Sequence, residues 1–322
     1  MSAITIAILE PGYRDYAAEG EVLSAHDARI VPVSADEDAA SSLKQLDPVA
    51  LLVRERPVTA SEIDSCPNLK VIVRYGVGVD NIDLAAASAR RIHVANVPDY
   101  GAENEVSEHA LALYLAVQRR IPSRDREVRE GRWGVGQEAP VPNRENAVLG
   151  LIGCGKIGLE VARKFRAIGF ASVLGYDPYL DADTAKTHGI QIADLDTLCS
   201  EADVVSLHTP YTAETRHILD REKLGRMKPQ SILINVSRGG LVDETALADC
   251  LAKNRIFGAG IDVFEHEPLD SAHPLLGTPN TVLSDHTAWY SERTVSVLQR
   301  NAAHEVERVL RGEKPRNWVN PW

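Results

Sequence analysis

Three glycines near the middle of the chain, Gly153, Gly155 and Gly158, stand in the spacing G-x-G-x-x-G. They follow an apolar run over 147–152 and precede a segment of helical character over 159–168. Strand, tight turn and helix in that order form one half of a dinucleotide site. The first glycine permits the turn, the second lets a pyrophosphate approach the backbone, and the third lets helix and strand pack closely. The phosphates then meet the unpaired N–H groups of the helix N-terminus. Asp177 strengthens the reading, because it closes a second apolar strand over 172–176 at the offset of about twenty residues where a carboxylate takes the adenosine ribose 2′-hydroxyl. The same carboxylate repels a 2′-phosphate, so NAD is expected rather than NADP.

At 322 residues the chain exceeds one ordinary core and fits two domains. The formal charge of −11, with no basic patch, argues against nucleic acid. The first residues, MSAITIAILEPG, lack a basic start and a long apolar run. They read as a first strand rather than a signal peptide or membrane span, and a cytoplasmic protein is expected. Cys66, Cys154, Cys199 and Cys250 are scattered without C-x-x-C spacing, so neither a zinc site nor a disulfide framework is indicated.

From residue 4 to 97, strand-like runs (ITIAILE, RIVPVSA, PVALLVRE, KVIVRYG, RIHVANV) alternate with helical segments, which implies β-α units and a parallel sheet covered on both faces. The loop YGVGVD, with Tyr75, Gly76, Val77 and Gly78, follows a strand and offers backbone amides to an anion; a plain strand-to-helix turn is the alternative. Arg54, Arg56 and Arg74 fall at or near strand C-terminal ends, where open α/β sheets bind ligands. The turn-rich NVPDYG at 96–101 marks a first crossing between domains. Residues 102–120 read as a helix whose apolar face, widened by Leu111, Tyr114 and Leu115, needs cover from a second subunit or from deep burial in its own domain. The charged run 124–132 reads as a solvated helix end. After the glycine turn, strands are expected over 203–208, 231–236, 257–262 and 281–284, with a helix over 243–253. A last helix over 291–311 stands outside the alternation and is expected to return to the first domain, with a hinge at 288–292. The expected fold is α/β, with two Rossmann-like domains. A discontinuous, flavodoxin-like substrate domain covers 1–98 and 291–322, and a doubly wound NAD-binding sheet covers 99–290.

A nicotinamide enzyme acting on an alcohol or ketone needs a proton exchanger, a group that tunes it, and a clamp for the substrate. Arg238, in INVSRGGLVDE, suits bidentate binding of a carboxylate. His286, in LSDHTAWYSE, suits proton exchange. Glu267, in DVFEHEP, would favour the imidazolium if paired with it. The neighbouring HEPLD lacks the H-E-x-x-H spacing, so no metal is expected.

These motifs together, GLIGCGKIG, Asp177, NVSRGGLVDE, DVFEHEP and HTAWYSE, resemble the D-2-hydroxyacid dehydrogenases over nearly the whole chain. Within that family VRYGVGVDNID, YDPYL, RGGLVDE and HTAWYSE look closest to the C-terminal binding protein branch and its bacterial relatives. The resemblance implies two domains joined by two crossings, with Arg238, Glu267 and His286 catalytic. It implies that the YGVGVD amides hold the substrate carboxylate, with Arg74 and Trp289 at the same pocket; Arg54 is expected there from its place at a strand end. For the cofactor it implies Gly153, Gly155, Lys156, Ile157, Gly158, Asp177, His208, Thr209, Pro210, Asn235, Val236, Ser237, Asp262 and His286. It also implies a homodimer through the helix from Ala102. The expected reaction is hydride transfer between NAD(H) and C2 of a 2-ketoacid or D-2-hydroxyacid. The rival is an NAD(H)-sensing corepressor-like module, which the absence of a long tail or basic arm disfavours. One departure from the family is Asp285, where proline usually precedes the histidine. Its carboxylate either faces solvent or joins the surroundings of His286. A second anionic group on the substrate is expected if the three arginines converge, and a small ketoacid such as glyoxylate or hydroxypyruvate if they do not.

Overall fold

Alternating apolar runs and aspartate-capped helices fold into two parallel sheets, described by a computed structural model over residues 4–10, 12–134 and 140–322. The chain divides into two units, Met1–Gly101 with Ser291–Trp322, and Ala102–Tyr290.

The first unit holds β1 (Ile4–Leu9), α1 (Ala17–Leu23), β2 (Ala28–Val33), α2 (Ala39–Leu46), β3 (Ala50–Val53), α3 (Ala60–Asp64), β4 (Val71–Arg74), α4 (Leu84–Ala89) and β5 (His93–Ala95). Its sheet is parallel throughout in the order β2-β1-β3-β4-β5, the flavodoxin-like order. β3 and β4 are buried along their whole length, as befits strands covered on both faces. The final helix, Glu292–Leu310, packs on α1 and β4 in this unit. Ser291 caps it by accepting from Thr294 N, and Leu298, Ala302, Val306 and Val309 form its buried stripe.

The second unit opens with α5 (Ala102–Gln118) and α6 (Ile121–Arg129). The run 124–132 thus belongs mostly to a helix of its own, set off from α5 by Arg120 in the left-handed region (φ 53°). There follow β6 (Val148–Ile152), α7 (Lys156–Ala167), β7 (Ser172–Tyr176), α8 (Ala182–Thr187), β8 (Ile190–Ile192), α9 (Leu195–Glu201), β9 (Val204–Leu207), α10 (Arg221–Arg226), β10 (Ile232–Asn235), α11 (Glu244–Ala252), β11 (Gly258–Ile261) and β12 (Thr281–Leu283). The strand β8 was not among those expected; at three residues, two of them exposed, it carries almost no periodic signal. The parallel order β12-β11-β10-β9-β6-β7-β8 reverses direction between β6 and β9, which is where a doubly wound sheet opens a ligand crevice.

Helix α5 lies across this sheet against α7, β10 and β11. Tyr114 on α5 meets Phe165 on α7 and Phe170, with ring centroids 5.0 and 5.5 Å away, and Phe165 and Phe170 are themselves 5.0 Å apart. Each such ring pair adds about 0.5–1.5 kcal/mol beyond area burial. Most of the wide apolar face of α5 is therefore covered within its own unit, and Leu115 remains 41 % exposed.

Candidate functional site

The switch point is built around Gly153. Its φ of +94° and a distance of 2.6 Å from the position of an added Cβ to the carbonyl carbon of His208 exclude any side chain. His208 N in turn donates to Ile152 O at 2.7 Å, so the ends of β6 and β9 are joined at the crevice. At Gly155 an added Cβ would meet nothing within 4 Å, which leaves open space beside the start of α7. Helix α7 has Gly155 as N-cap with no side-chain cap, whereas Asp181, Asp194, Asp220 and Asp243 cap α8, α9, α10 and α11. The open space and the uncapped amides, with Lys156 and Ile157 in the first turn, fit a pyrophosphate.

Asp177 lies directly after β7. Its Oδ2 accepts from Cys154 N and its Oδ1 from Tyr179 N, both at 2.8 Å, which fixes the carboxylate beside the glycine turn. Each oxygen keeps a second lone pair for a ribose hydroxyl. His208 faces Ser206, with Nε2 and Oγ 2.8 Å apart, and burial pushes its imidazole down to about 3, so it is uncharged at neutral pH although part of its surface reaches solvent. Thr209 and Pro210 follow it, and Thr209 O accepts from the Ser237 hydroxyl at 2.7 Å.

Strands β10, β11 and β12 deliver the three expected catalytic side chains from their C-terminal ends. After β10, the buried Asn235 accepts from Ser237 N at 3.1 Å and donates to Arg238 O at 2.8 Å, which pins the turn through Val236. Arg238 Nη1 donates to Ser237 O at 2.8 Å. The next residue, Gly239, lets the loop after β11 come close: an added Cβ would lie 1.8 Å from the carbonyl carbon of Phe264. In that loop Glu267 Oε1 accepts from Phe264 N at 2.9 Å, while Oε2 accepts from His286 Nδ1 at 2.7 Å. A carboxylate has no proton to give, so Nδ1 carries the proton and Nε2 is the atom left to exchange one with a substrate. His286 itself sits at φ 57°, unusual for a residue with a Cβ. Around it, His286 N donates to Asp262 O at 2.8 Å, Ala288 N donates to Asp262 Oδ2 at 2.9 Å, and Trp289 Nε1 donates to His286 O at 3.0 Å. A cavity of about 460 Å³ borders the pair, walled by Phe264, Pro268, Leu269, Leu276 and Leu283. Asp285 is exposed and accepts from the Thr287 hydroxyl at 3.0 Å, the arrangement of a solvated turn residue.

In the first unit, Tyr75 N donates to Val53 O at 2.8 Å. The carbonyls of Gly76 and Val77 accept from Val97 N and Asn96 Nδ2 at 2.7 and 2.6 Å. In a trans peptide the C=O and the following N–H point in opposite directions, so the N–H groups of Val77 and Gly78 face away from residues 96–97. Two successive amides turned outward make an anion-binding concavity. Below the loop, the Tyr75 hydroxyl donates to Glu19 at 2.6 Å, and Gln299 Nε2 donates to the same carboxylate at 3.1 Å. Burial pushes the Glu19 carboxyl up.

The three arginines have different fates. Arg74 is buried and paired with Glu55 at 2.5 Å, and Arg56 donates to Ser34 O and Glu37 O at 3.0 and 2.6 Å. Arg54 lies over the Tyr13 ring, 5.6 Å from its centroid, with no ion pair to a carboxylate among the described residues. Sequence reasoning did not single out Glu19, His109 or Ser284. Each is an ordinary polar residue in a helical or strand-end pattern, and its partner lies far away in sequence.

A glyoxylate reductase of Korarchaeum cryptofilum is 39% identical over 86% of this chain and 84% of its own length. A D-3-phosphoglycerate dehydrogenase of Methanocaldococcus jannaschii is 37% identical over 88% of this chain, which spans only 53% of that longer protein. Among solved structures, D-lactate dehydrogenase of Aquifex aeolicus, complexed with NAD and lactic acid, superposes with a TM-score of 0.87 at 27% identity, covering 98% of this chain and 99% of that one. Relatives named here are reductases and dehydrogenases, and none points specifically to the C-terminal binding protein branch. The family model for the D-isomer specific 2-hydroxyacid dehydrogenase NAD-binding domain matches residues 111–288. Carrying that domain, the chain belongs to the D-isomer specific 2-hydroxyacid dehydrogenases, a family of NAD-dependent oxidoreductases.

Proposed function

We propose that the protein reduces a small 2-ketoacid, glyoxylate or hydroxypyruvate, with His286 as the acid and base. The observation that carries this is the 2.7 Å contact of His286 Nδ1 with Glu267, which fixes the ring and leaves Nε2 to meet a substrate oxygen. NADH, when bound, supplies the hydride to C2. Arg238 holds the substrate carboxylate and polarises the neighbouring carbonyl. His286 Nε2 gives its proton to the ketone oxygen and takes one back in the reverse direction. Glu267 keeps the proton on Nδ1 and holds the orientation of the ring. Asn235, Ser237 and Asp262 hold the loops that surround the nicotinamide, and Trp289 steadies His286 from its carbonyl side.

Two of the three arginines are committed to protein acceptors, which argues against a doubly charged substrate and for a monoanion. Support in sequence comes from the relative named as a glyoxylate reductase. A homodimer using the outer surface of α5 and α6 accords with the exposure of Leu115, Ile121, Val128 and Trp133. A cytoplasmic setting accords with four buried cysteines, none in a disulfide. No helix among the described residues is long and apolar enough to cross a membrane.

The test is steady-state turnover of glyoxylate, hydroxypyruvate and 3-phosphohydroxypyruvate, each with NADH and with NADPH. The expected result is the highest kcat/KM for one of the two small ketoacids with NADH. Preference for the phosphorylated acid would overturn the substrate class. Negligible turnover of all three, with NADH bound, would favour the sensing module.

A further inference from the structure

We infer that His109 and Ser284 are positioning residues of the reaction, forming a hydrogen-bonded chain from helix α5 through the buried Asp262 to the segment that carries His286. The inference rests on the assignment of His286 above. Asp262 is wholly buried. Its Oδ1 accepts from the Ser284 hydroxyl at 2.6 Å and from Thr287 N at 3.1 Å, and its Oδ2 accepts from Ala288 N at 2.9 Å. One donor precedes His286 in the chain and two follow it, so a single carboxylate brackets the residue on both sides. The backbone of His286 is in the left-handed region, a conformation that persists only where its surroundings hold it.

Ser284 also meets His109, with Oγ and Nε2 2.8 Å apart. A hydroxyl has one proton, and here it goes to the carboxylate, so His109 must carry a proton on Nε2 and donate it to Ser284. The same nitrogen lies 3.5 Å from Asp262 Oδ1. His109 therefore orients the hydroxyl that orients the carboxylate, and the carboxylate fixes the peptides on either side of His286. Helix α5 is packed on the sheet along most of its length, so the chain is anchored to a rigid element. Neither His109 nor Ser284 needs to touch the substrate for this role. Their contribution is the angle at which Nε2 of His286 meets the ketone oxygen.

The experiment compares the full-length protein with His109→Phe, Ser284→Ala, the double variant, and His109→Gln, whose amide N–H can reach Ser284 as Nε2 does. Two readouts are taken: kcat and KM for the ketoacid with NADH, and the side-chain ¹H–¹⁵N signals of His286 in the protein without substrate. We expect kcat to fall on the order of 10- to 100-fold in His109→Phe and Ser284→Ala, with KM little changed. The double variant should fall no further than the worse single one, and His109→Gln should recover most of the loss. The His286 signals should move in both single variants and return in His109→Gln. Unmoved His286 signals in both single variants would overturn the inference. So would losses of kcat that merely follow the melting temperature and persist in His109→Gln. If the unaltered protein reduces no 2-ketoacid, the proposed function fails, and the His286 signals still decide the positioning role.

Discussion

At the scale of single residues, the site depends on which atom of each side chain is already engaged. Glu267 accepts a hydrogen bond from Nδ1 of His286, so Nε2 is the ring nitrogen that can exchange a proton. His286→Ala should therefore lower turnover by roughly 10²- to 10⁴-fold. NADH binding, followed by quenching of intrinsic fluorescence, should stay within a few-fold of the parent, and retention of near-normal turnover would remove His286 from its role. His208 makes a different kind of prediction. Its folded pKa of about 3 lies below the ordinary histidine value of 6.5. Between those values the unfolded chain binds the extra proton and the folded one does not, so stability is full above about pH 6.5 and falls as pH drops toward 3. The slope from this group has a ceiling of about 1.4 kcal/mol per pH unit, reduced by its partial contact with solvent. In urea titrations from pH 7 to pH 4, His208→Gln should lose less stability than the parent. Identical pH dependence would mean that His208 gains its proton without cost. Arg238, Glu267 and His286 can be proposed from sequence because each stands in a short motif at a strand end. His109 and Ser284 cannot, since their role exists only through contacts 175 and 22 residues apart in sequence.

At the scale of elements, the YGVGVD loop of the first unit shows how a turn is held. The Tyr75 ring reaches down to Glu19 on α1, and Glu19 is shared with Gln299 on the final helix. Three segments distant in sequence thus meet on one buried carboxylate. Tyr75→Phe removes one donor and leaves that carboxylate under-satisfied, at a cost of about 1–3 kcal/mol. Chemical denaturation should show this loss, while KM for the ketoacid stays near the parent value, because the loop amides come from the backbone. A large change in KM with unchanged stability would show that the ring itself serves the substrate. The strands of this unit were readable from their apolar runs, since a strand covered on both faces needs little else. Strand β8 was not, because it is short and half-exposed. The division between α5 and α6 escaped notice for a related reason. Arg120 in the left-handed region breaks the helix, and the proline that opens the next one, Pro122, stands one residue inside it rather than at the break.

At the scale of the whole molecule, the open matter is what covers the exposed apolar residues of the second unit. Leu115, Ile121, Val128 and Trp133 lie 41 to 86 % exposed on or just after α5 and α6. Light scattering of the purified protein should give a dimer, and Leu115→Asp with Val128→Asp should shift it toward monomer; a monomeric parent would end that proposal. The sequence by itself determined the class of fold, the cofactor and the reaction type. The first two rest on local patterns, namely alternation of strand and helix, glycines that a tight turn requires, and a carboxylate at a fixed offset; the reaction type rests on the short motifs around Arg238, Glu267 and His286 and the family they resemble. Tertiary structure alone decided which charges remain available. It paired Arg74 with Glu55 and tied Arg56 to two carbonyls, and it turned Asp285 toward Thr287. It also buried Asp262 under the segment that carries His286. Ion pairs and hydrogen bonds form between side chains brought together by packing, and no spacing along the chain records which partner each will meet.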